Sequence, residues 1–191
     1  SKVYWNSRLQ HEHDRIIQTY IHPGNLVFDV FAGVGPFAIP AVRKGALVYA
    51  NDLNPSAYEA LEQNARLNKV NMTGFKTFNM DGQDFIRHVK EYVVKDRECH
   101  FIMNLPALAA SFCSVFSEDF YADSNHDNIT VHCYTFFRPG KDSSPHELIN
   151  LQDIRVIEEV LVRSVAPNKD MYCVSFKLPV KSTNKKAKNS K

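Results

Sequence analysis

The sequence predicts an α/β protein with a mostly parallel sheet, because short apolar runs alternate with helix-length segments along the chain. The most informative segment, residues 26–37, reads as a buried strand that ends in an acid and then breaks into a Gly-x-Gly turn. Asp29 would lie near the carboxyl end of that strand, where open α/β sheets bind their ligands. With 191 residues and 44% hydrophobic content, the chain can bury one sizeable core but hardly two.

Strands and helices follow in turn after a short extended or hairpin piece at 3–9. The predicted strands are 26–30, 47–51, 76–80, 100–103, 130–137, 162–165 and 172–178. The predicted helices are 11–21, 36–44, 56–68, 83–95, 107–116 and 145–160. Pro23 and Gly24 end the first helix, residues 117–128 read as a polar insertion loop, and the last two strands should form a hairpin.

The glycine turn indicates a nucleotide-type cofactor. Gly33 and Gly35 allow a tight turn and a close approach of the backbone to a ligand, although tight turns in any α/β protein look similar. Asp52 follows one helix-length segment later, the spacing at which a carboxylate binds a ribose diol, and its alternative is a helix cap before Pro55. An alanine and an isoleucine stand where a dinucleotide site would have its third glycine, which argues against a nicotinamide cofactor.

Four successive strands are followed by a polar side chain at their carboxyl ends. These side chains are Asp29, Asp52, Asp81 and Asn104. Because the carboxyl ends of parallel strands meet at one edge of a sheet, the four side chains should mark a single ligand-binding edge.

Six segments carry a closer resemblance to a known family: 4–12, 29–37, 51–55, 67–70, 103–107 and 132–136. Together they resemble the catalytic domain of the eukaryotic and archaeal tRNA (guanine-N1)-methyltransferases, which modify the guanosine 3′ of the anticodon. The Arg-Leu-x-x-Glu segment at 8–12 and the Asn-Leu-Pro-Ala segment at 104–107 are the specific part, because most methyltransferases have neither. The resemblance implies a Rossmann-like class I methyltransferase that uses S-adenosylmethionine, with seven strands in the order 3-2-1-4-5-7-6.

Guanine N1 carries a proton at neutral pH, so methylation there needs a group that removes this proton. The resemblance assigns that role to Glu12 and adds Arg8 as a catalytic and substrate-binding residue. Taken alone, Glu12 also fits an acid in the first turn of a helix, where it interacts favourably with the helix dipole. His11 and His13 flank Glu12, but residues two apart on a helix do not face each other, so no metal site is expected.

Asn104 is expected beside the sulfonium of the cofactor, as a catalytic and cofactor-binding residue. Its amide can accept and donate hydrogen bonds, which suits the edge of a planar base, and the alternative is a helix cap. The turn at Leu105 and Pro106 would fix its direction. Ala107 replaces the aromatic residue of amino-methylating relatives, which argues against an exocyclic amine as the acceptor.

The resemblance implies further contacts. Asp52 should bind the ribose hydroxyls, Asp81 the adenine amino group and Leu53 the adenine face. The methionine side should be lined by Phe31, Ala32, Gly33 and Gly35, with Asp29 ordering the turn. The expected substrate-binding residues are Tyr4, Arg8, His13 and Pro106, although the family has arginine where His13 stands. His132 and Tyr134 are predicted to pack in the core.

Charge and composition bear on the domains and partners. Residues 1–22 should lead into the methyltransferase domain at 23–180, followed by a basic, disordered tail at 181–191. The tail holds five lysines and no acid, so the rest of the chain has a formal charge of about −3 within the total of +2. The resemblance predicts tRNA as the partner, yet the slightly acidic part of the chain before the tail is not an obvious RNA binder. The chain opens at Ser1 without Met, so we expect a fragment whose missing N-terminal part contributes to tRNA binding.

The remaining expectations concern cellular location, oligomeric state and two alternative functions. No apolar run approaches a membrane span, and the scattered cysteines favour reduced, buried thiols. We expect a monomer without metal, in the cytoplasm, the nucleus and the mitochondrial matrix. Two other functions stay open: an aminocarboxypropyl transferase of the wybutosine pathway, which typically has glutamate in place of Asp52, and a nicotinamide-binding or non-catalytic nucleotide module.

Overall fold

A computed structural model describes residues 7–118 and 127–178 of the chain. The strands are β1 (Leu26–Asp29), β2 (Leu47–Asn51), β3 (Phe75–Phe78), β4 (Cys99–Met103), β5 (Ile129–Phe137), β6 (Arg155–Ala166) and β7 (Lys169–Lys177). The α-helices are α1 (Ser7–Tyr20), α2 (Ala38–Arg43), α3 (Pro55–Leu67), α4 (Gly82–Val89), α5 (Ala109–Phe112) and α6 (Val115–Glu118). Single 3-10 turns lie at Met72–Gly74, Lys90–Tyr92 and His146–Leu148. Tyr4, the basic tail and most of the predicted insertion loop fall outside the described residues.

The strands form one sheet in the order β3-β2-β1-β4-β5-β7-β6, as predicted. β1 to β5 pair in parallel, whereas β7 is antiparallel to both β5 and β6, which confirms the terminal hairpin. Asp29 on β1 is in register with Ala50 on β2 and Ile102 on β4. The carboxyl ends of these central strands therefore meet at one edge, where the predicted ligand site belongs.

Helices cover both faces of the sheet, because a parallel sheet must be buried on both sides. On one face, Ile16 of α1 and Leu61 of α3 share a core cluster with Tyr134 of β5. On the other face, Phe85 of α4 and Phe116 of α6 belong to a second cluster. α1 therefore packs on the same face as the Tyr134 side chain, which sets up the site described below.

The beginning of α1 differs from the prediction. The helix already includes residues 7–9, so the extended piece predicted at 3–9 is wrong there, and residues 3–6 lie outside the described part of the chain. α1 ends at Tyr20, shortly before Pro23 and Gly24, as expected. Because α1 starts at Ser7, Glu12 lies beyond its first turn.

The helix predicted at 145–160 is wrong. Only a 3-10 turn forms at His146–Leu148, and β6 occupies the second half of the segment and continues to Ala166. Exposed and half-buried residues alternate along β6, which is the period of a strand. The β-branched Val156, Ile157 and Val160 favour a strand, and pairing with β7 outweighs the helix propensity of the neighbouring glutamates.

Two further helices are shorter than predicted. α4 ends at Val89 and is followed by a 3-10 turn, so it covers only the first half of the predicted 83–95. The segment predicted as one helix at 107–116 contains α5 and the start of α6, separated at Cys113 and Ser114. No helix among the described residues is long and apolar enough to cross a membrane.

His132 packs in the core, as predicted. Its Nε2 atom lies 3.1 Å from Nδ1 of His100, and its Nδ1 atom lies 2.8 Å from the Ser175 hydroxyl. Burial lowers the pKa of both imidazoles, so they stay neutral at pH 7. The four cysteines are free and buried, and no group of side chains in the described residues could hold a metal ion.

Candidate active site

The turn after β1 has room for a ligand at its first glycine. Gly33 and Gly35 both have positive φ angles, 55° and 98°, that L side chains rarely adopt. A Cβ atom on Gly33 would meet nothing within 4 Å, whereas one on Gly35 would lie 2.8 Å from methyl carbons of Ile39 and Leu61. Gly33 therefore allows close approach of a ligand, while Gly35 is required for packing of the turn against α2 and α3.

Asp52 holds this turn in place. Its Oδ2 atom accepts a hydrogen bond from the Gly33 amide at 2.8 Å, and its Oδ1 atom accepts one from the Asn54 amide at 2.9 Å. Asn54 is the residue that caps α3, through a bond from the Ser56 amide, so the alternative interpretation of Asp52 as the helix cap is wrong. Each Asp52 oxygen keeps a second lone pair, which can accept a ribose hydroxyl.

Asn51 is a site residue that the sequence analysis missed. It is fully buried, and its side-chain amide donates to the carbonyls of Val30 at 3.1 Å and Met80 at 3.0 Å. Its side-chain oxygen accepts from the Met80 amide at 3.0 Å. Asn51 thus connects the ends of β1, β2 and β3 and fixes the position of Asp52. In the sequence, the feature that could have identified it is an amide side chain at the end of an apolar strand.

Asp29 is the last residue of β1, and its role of ordering the turn stays a prediction. It is fully buried, and among the described residues neither carboxyl oxygen has a hydrogen-bond partner of good geometry. Burial, and then the negative charge of Asp52, raise its pKa to about 8, while the Ala38 backbone amide opposes them. The turn is held by the bond that Asp52 accepts from the Gly33 amide and by the bond from the Ala32 amide to the Asn51 carbonyl at 2.7 Å.

The raised pKa of Asp29 predicts a pH dependence of stability. Between about pH 4 and pH 8 the unfolded chain has lost the Asp29 proton and the folded chain keeps it, so the free energy of unfolding should fall as the pH rises. Asp29→Asn should flatten this fall. Chemical denaturation of both proteins at pH 5 and pH 8 checks the difference, and equal slopes would show that another group is responsible.

The expected adenine end of the site combines a carboxylate with an exposed apolar side chain. Asp81 caps α4, and its Oδ1 atom accepts a bond from the Gln83 amide at 2.8 Å. Its other oxygen has no partner among the described residues and can accept from an amino group. Leu53 is 63% exposed, as suits a side chain that covers the face of a bound base. Phe31 packs edge-on against Phe112 and forms a wall of the same site.

Glu12 is the most constrained carboxylate of the site. It is only 5% exposed. Arg15 donates two hydrogen bonds to its two oxygens, each 2.8 Å long, and the Tyr134 hydroxyl donates a third at 2.8 Å to Oε1. Since α1 starts at Ser7, the alternative interpretation of Glu12 as a first-turn acid is wrong.

Tyr134 places Glu12 relative to the sheet edge. The prediction of core packing is confirmed by its burial, but its hydroxyl also contacts Glu12, which the sequence analysis missed. Cys133 on β5 pairs with Met103, the last residue of β4, so Tyr134 and Asn104 follow side by side. Tyr134 therefore holds the Glu12 carboxylate of α1 against β5, the strand next to the one that Asn104 follows.

Asn104 is available for a substrate. Its side chain is half-buried and, among the described residues, has no hydrogen-bond partner. The residue that precedes α5 as its cap is Leu108, so the alternative interpretation of Asn104 as a helix cap is wrong. Pro106 lies two residues later and lines a cavity of about 460 Å³ together with Thr135 and Phe136 of β5. Asn104 is not part of this lining, and Ala110, which is, packs with the core cluster on the sheet face opposite Tyr134, so the cavity is separate from the Glu12 carboxylate.

The other predicted substrate residues are only partly placed. His13 is half-buried and packs edge-on against Phe37, with ring centroids 4.5 Å apart. Burial lowers its pKa, against the opposing effects of Glu12 and Asp14, so it is neutral at pH 7 and does not replace the charge of an arginine. Arg8 lies on α1, four residues before Glu12.

The whole site lies within the part of the chain that matches a known family. Residues 1–156 match the model of the TRM5/TYW2 methyltransferase domain. The chain belongs to this family. The predicted resemblance and the class I methyltransferase fold are therefore confirmed.

Individual members of the TRM5/TYW2 family show how far the similarity extends. The chain is 46% identical to the tRNA (guanine(37)-N(1))-methyltransferase of Mus musculus, over 94% of the chain and 38% of that protein. The crystal structure of Trm5b from Pyrococcus abyssi matches with a TM-score of 0.73 and 30% identity, over 94% of the chain and 51% of Trm5b. P. horikoshii TYW2, solved with MeSAdo, shares the fold with a TM-score of 0.73 at 21% identity, over 92% of this chain and 64% of TYW2. The chain thus spans less than half the length of the mouse relative.

Proposed function

We propose that the chain is the catalytic domain of a tRNA methyltransferase that transfers a methyl group from S-adenosylmethionine to N1 of guanosine 37. The observation that carries the proposal is the buried Glu12 carboxylate, which accepts hydrogen bonds from Arg15 and from Tyr134 on β5. Family membership supports methyl transfer, and the name of the mouse relative supports the nucleotide and its position.

The chemistry requires a base and a way to hold the guanine edge. S-adenosylmethionine supplies a methyl group on a positively charged sulfur. Glu12 takes the N1 proton while the N1 electron pair forms the bond to the methyl carbon, and the carbon–sulfur pair stays on sulfur. The products are N1-methylguanosine, S-adenosylhomocysteine and protonated Glu12, so charge balances. Asn104 can accept from a guanine N–H or donate to O6, which orients N1.

The groups at the edge of the sheet fit the cofactor. The free lone pairs of Asp52 suit the ribose hydroxyls, and the unused oxygen of Asp81 suits the adenine amino group. Exposed Leu53 suits the adenine face, and the open space at Gly33 suits the methionine side. The half-buried Phe31 and Asn104 complete the proposed lining, whereas Asp29, Ala32 and Gly35 are buried behind it.

Methyl transfer is favoured over aminocarboxypropyl transfer by two observations. The chain has Asp52 where the transferases of the wybutosine pathway typically have glutamate, and the shorter side chain forms both backbone bonds of the turn. The chain is also 46% identical to the mouse tRNA (guanine(37)-N(1))-methyltransferase but only 21% identical to P. horikoshii TYW2. A nicotinamide site is disfavoured because no third glycine follows Gly35.

A methylation assay tests the proposed function. The full-length protein is incubated with methyl-labelled S-adenosylmethionine and a tRNA transcript that carries G37, with an A37 transcript as the control. Label should enter the G37 transcript only. Equal labelling of both transcripts, or none with either, would contradict the proposed acceptor.

The chain alone should bind tRNA weakly. Without its tail the chain is slightly acidic, and phosphate contacts with lysine and arginine normally dominate nucleic-acid affinity. We expect at least about tenfold weaker tRNA binding and a very low turnover relative to the full-length protein. Filter-binding titrations over a range of salt, together with methyl transfer by both proteins, measure this. Equal affinities would reveal an RNA site on the acidic body.

The proposed biological setting has tRNA as the partner and a monomeric enzyme. The cytoplasm, the nucleus and the mitochondrial matrix stay predictions as its compartments. So do the boundaries at 1–22, 23–180 and 181–191. Size-exclusion chromatography with light scattering tests the monomer, and fractionation of cells tests the compartments.

A further inference from the structure

The hydrogen bonds around Glu12 continue into a second carboxylate. Arg15 binds Glu12 through Nε and one terminal nitrogen, and its other terminal nitrogen donates to Oε1 of Glu158. Glu158 comes from β6, at the far end of the chain. One guanidinium therefore bridges the proposed catalytic base and an acid on another element.

Each carboxylate has a tyrosine as a further donor. Tyr134 of β5 donates to Glu12, and Tyr20 of α1 donates to Oε1 of Glu158 at 2.7 Å. Burial and the bond to Glu158 raise the pKa of Tyr20 to about 12, so its hydroxyl stays a donor at pH 7. Three elements, α1, β5 and β6, thus fix the orientation of one carboxylate.

The Arg15 guanidinium has two opposite effects on Glu12 as a base. A cation bonded to both oxygens orients Glu12, but it also stabilises the charged carboxylate and weakens it as a proton acceptor. The second carboxylate, Glu158, partly neutralises the positive charge of the same guanidinium. Because Arg15 is only 24% exposed, water screens these electrostatic interactions less than it would at an exposed site. Although burial opposes them, Glu12 and Glu158 raise the pKa of Arg15, which keeps it charged.

We propose that Arg15 and Glu158 are positioning residues for the Glu12 base: Arg15 orients the carboxylate, and Glu158 draws off part of the Arg15 charge so that Glu12 can still accept a proton. The inference rests on the proposed function, because it assumes that Glu12 is the base. It gives β6, part of which the sequence predicted as a helix, a role in the reaction through Glu158.

Several titratable or charged groups lie around Glu12 and Arg15 and contribute to any measured pH effect. They are His13 and Tyr20 on α1, Tyr134 and His132 on β5, Glu158 on β6 and Cys173 on β7. Burial keeps His132 neutral and raises the pKa of the Cys173 thiol to about 12. His13 is therefore the neighbour that titrates nearest to neutral pH, and every variant below keeps it, so its contribution is common to all the profiles.

The test is the pH profile of single-turnover methyl transfer by the full-length protein. Arg15→Gln removes the cation, so Glu12 holds its proton to higher pH; the acidic limb should move up by about one pH unit, with a loss of about tenfold or more at pH 7. Arg15→Lys should restore part of the wild-type limb position and part of the rate at pH 7. Glu158→Gln leaves the full Arg15 charge on Glu12, so the limb should move down and the plateau rate should fall several-fold.

The double variant and a surface control make the test decisive. In the Arg15→Gln background, Glu158→Gln should not shift the limb further, because Glu158 acts through Arg15. Arg66→Gln removes an exposed ion pair on α3 and should leave the profile unchanged. If Arg15→Gln does not fold, Arg15→Lys and Glu158→Gln carry the test. A wild-type limb in the folded Glu158→Gln protein, or limbs that move the same way in Arg15→Gln and Glu158→Gln, would overturn the proposal.

Failure of the proposed function gives a different result. If Glu12→Gln keeps the wild-type rate, Glu12 is not the base, whatever the Arg15 variants do. If Glu12→Gln is inactive while the Arg15 and Glu158 variants keep the wild-type profile, the base assignment stands and the positioning role is wrong.

Discussion

Glu12→Gln should lower the single-turnover rate of methyl transfer to tRNA by about a hundredfold or more, the usual contribution of a general base. Glutamine keeps the shape of the side chain and an oxygen at the Oε1 position, which can accept the bonds from a terminal nitrogen of Arg15 and from Tyr134 but not the Arg15 Nε bond to Oε2, so the fold should persist. It cannot take the N1 proton. Binding of S-adenosylmethionine should hardly change, because Asp52 and the glycine turn are untouched.

A matched control separates the base from a general effect of lost charge. Glu59→Gln removes a carboxylate from the exposed surface of α3 and should keep the wild-type rate. Rapid-quench measurements at saturating tRNA compare the two variants with the wild type. A Glu12→Gln rate equal to that of Glu59→Gln would show that Glu12 only holds α1 against β5.

Asp52→Ala should weaken S-adenosylmethionine binding by about 1.5–3 kcal/mol, the scale of a hydrogen bond to a charged group. The structure adds a second consequence. Asp52 also accepts bonds from the Gly33 and Asn54 amides, so the variant should lose about 1–2 kcal/mol in the free energy of unfolding.

Asn54→Ala is the control for this loss of stability. It removes the cap of α3 and should destabilise the chain by about 1 kcal/mol while leaving cofactor affinity unchanged. Calorimetric titration of the folded proteins measures affinity, and denaturant titration measures stability. If Asp52→Ala bound the cofactor as tightly as the wild type, Asp52 would have only the structural role of holding the turn.

The central sheet could be predicted from the sequence because its strands are buried on both faces. β1 and β4 read as continuous apolar runs, and Gly33 and Asp52 mark the point where the chain leaves the sheet. β6 could not be predicted in this way, because it is half exposed and its two glutamates and its leucine also suit a helix. Its strand conformation depends on pairing with β7, a tertiary contact that no local pattern reports.

The candidate site was predictable residue by residue but not as a network. Glu12 and Asn104 stand out through motifs, and Arg15 lies one helical turn from Glu12. Tyr134, however, is 122 residues away from Glu12, and Glu158 is 143 residues away from Arg15. Only the fold brings them together. The sequence marks Asp29 as an acid at a strand end, but its full burial and its position beside the charge of Asp52 depend on the fold.

Mass spectrometry of the modified nucleoside tests the central claim most directly. The full-length protein and its Glu12→Gln variant are each incubated with S-adenosylmethionine and a G37 tRNA transcript, and the transcript is then digested and its fragments sequenced. The account predicts N1-methylguanosine at position 37 with the wild-type protein, and a yield at least about a hundredfold lower in initial rate with the variant. An aminocarboxypropyl adduct, a methyl group on another atom or nucleotide, or equal rates for the two proteins would contradict it.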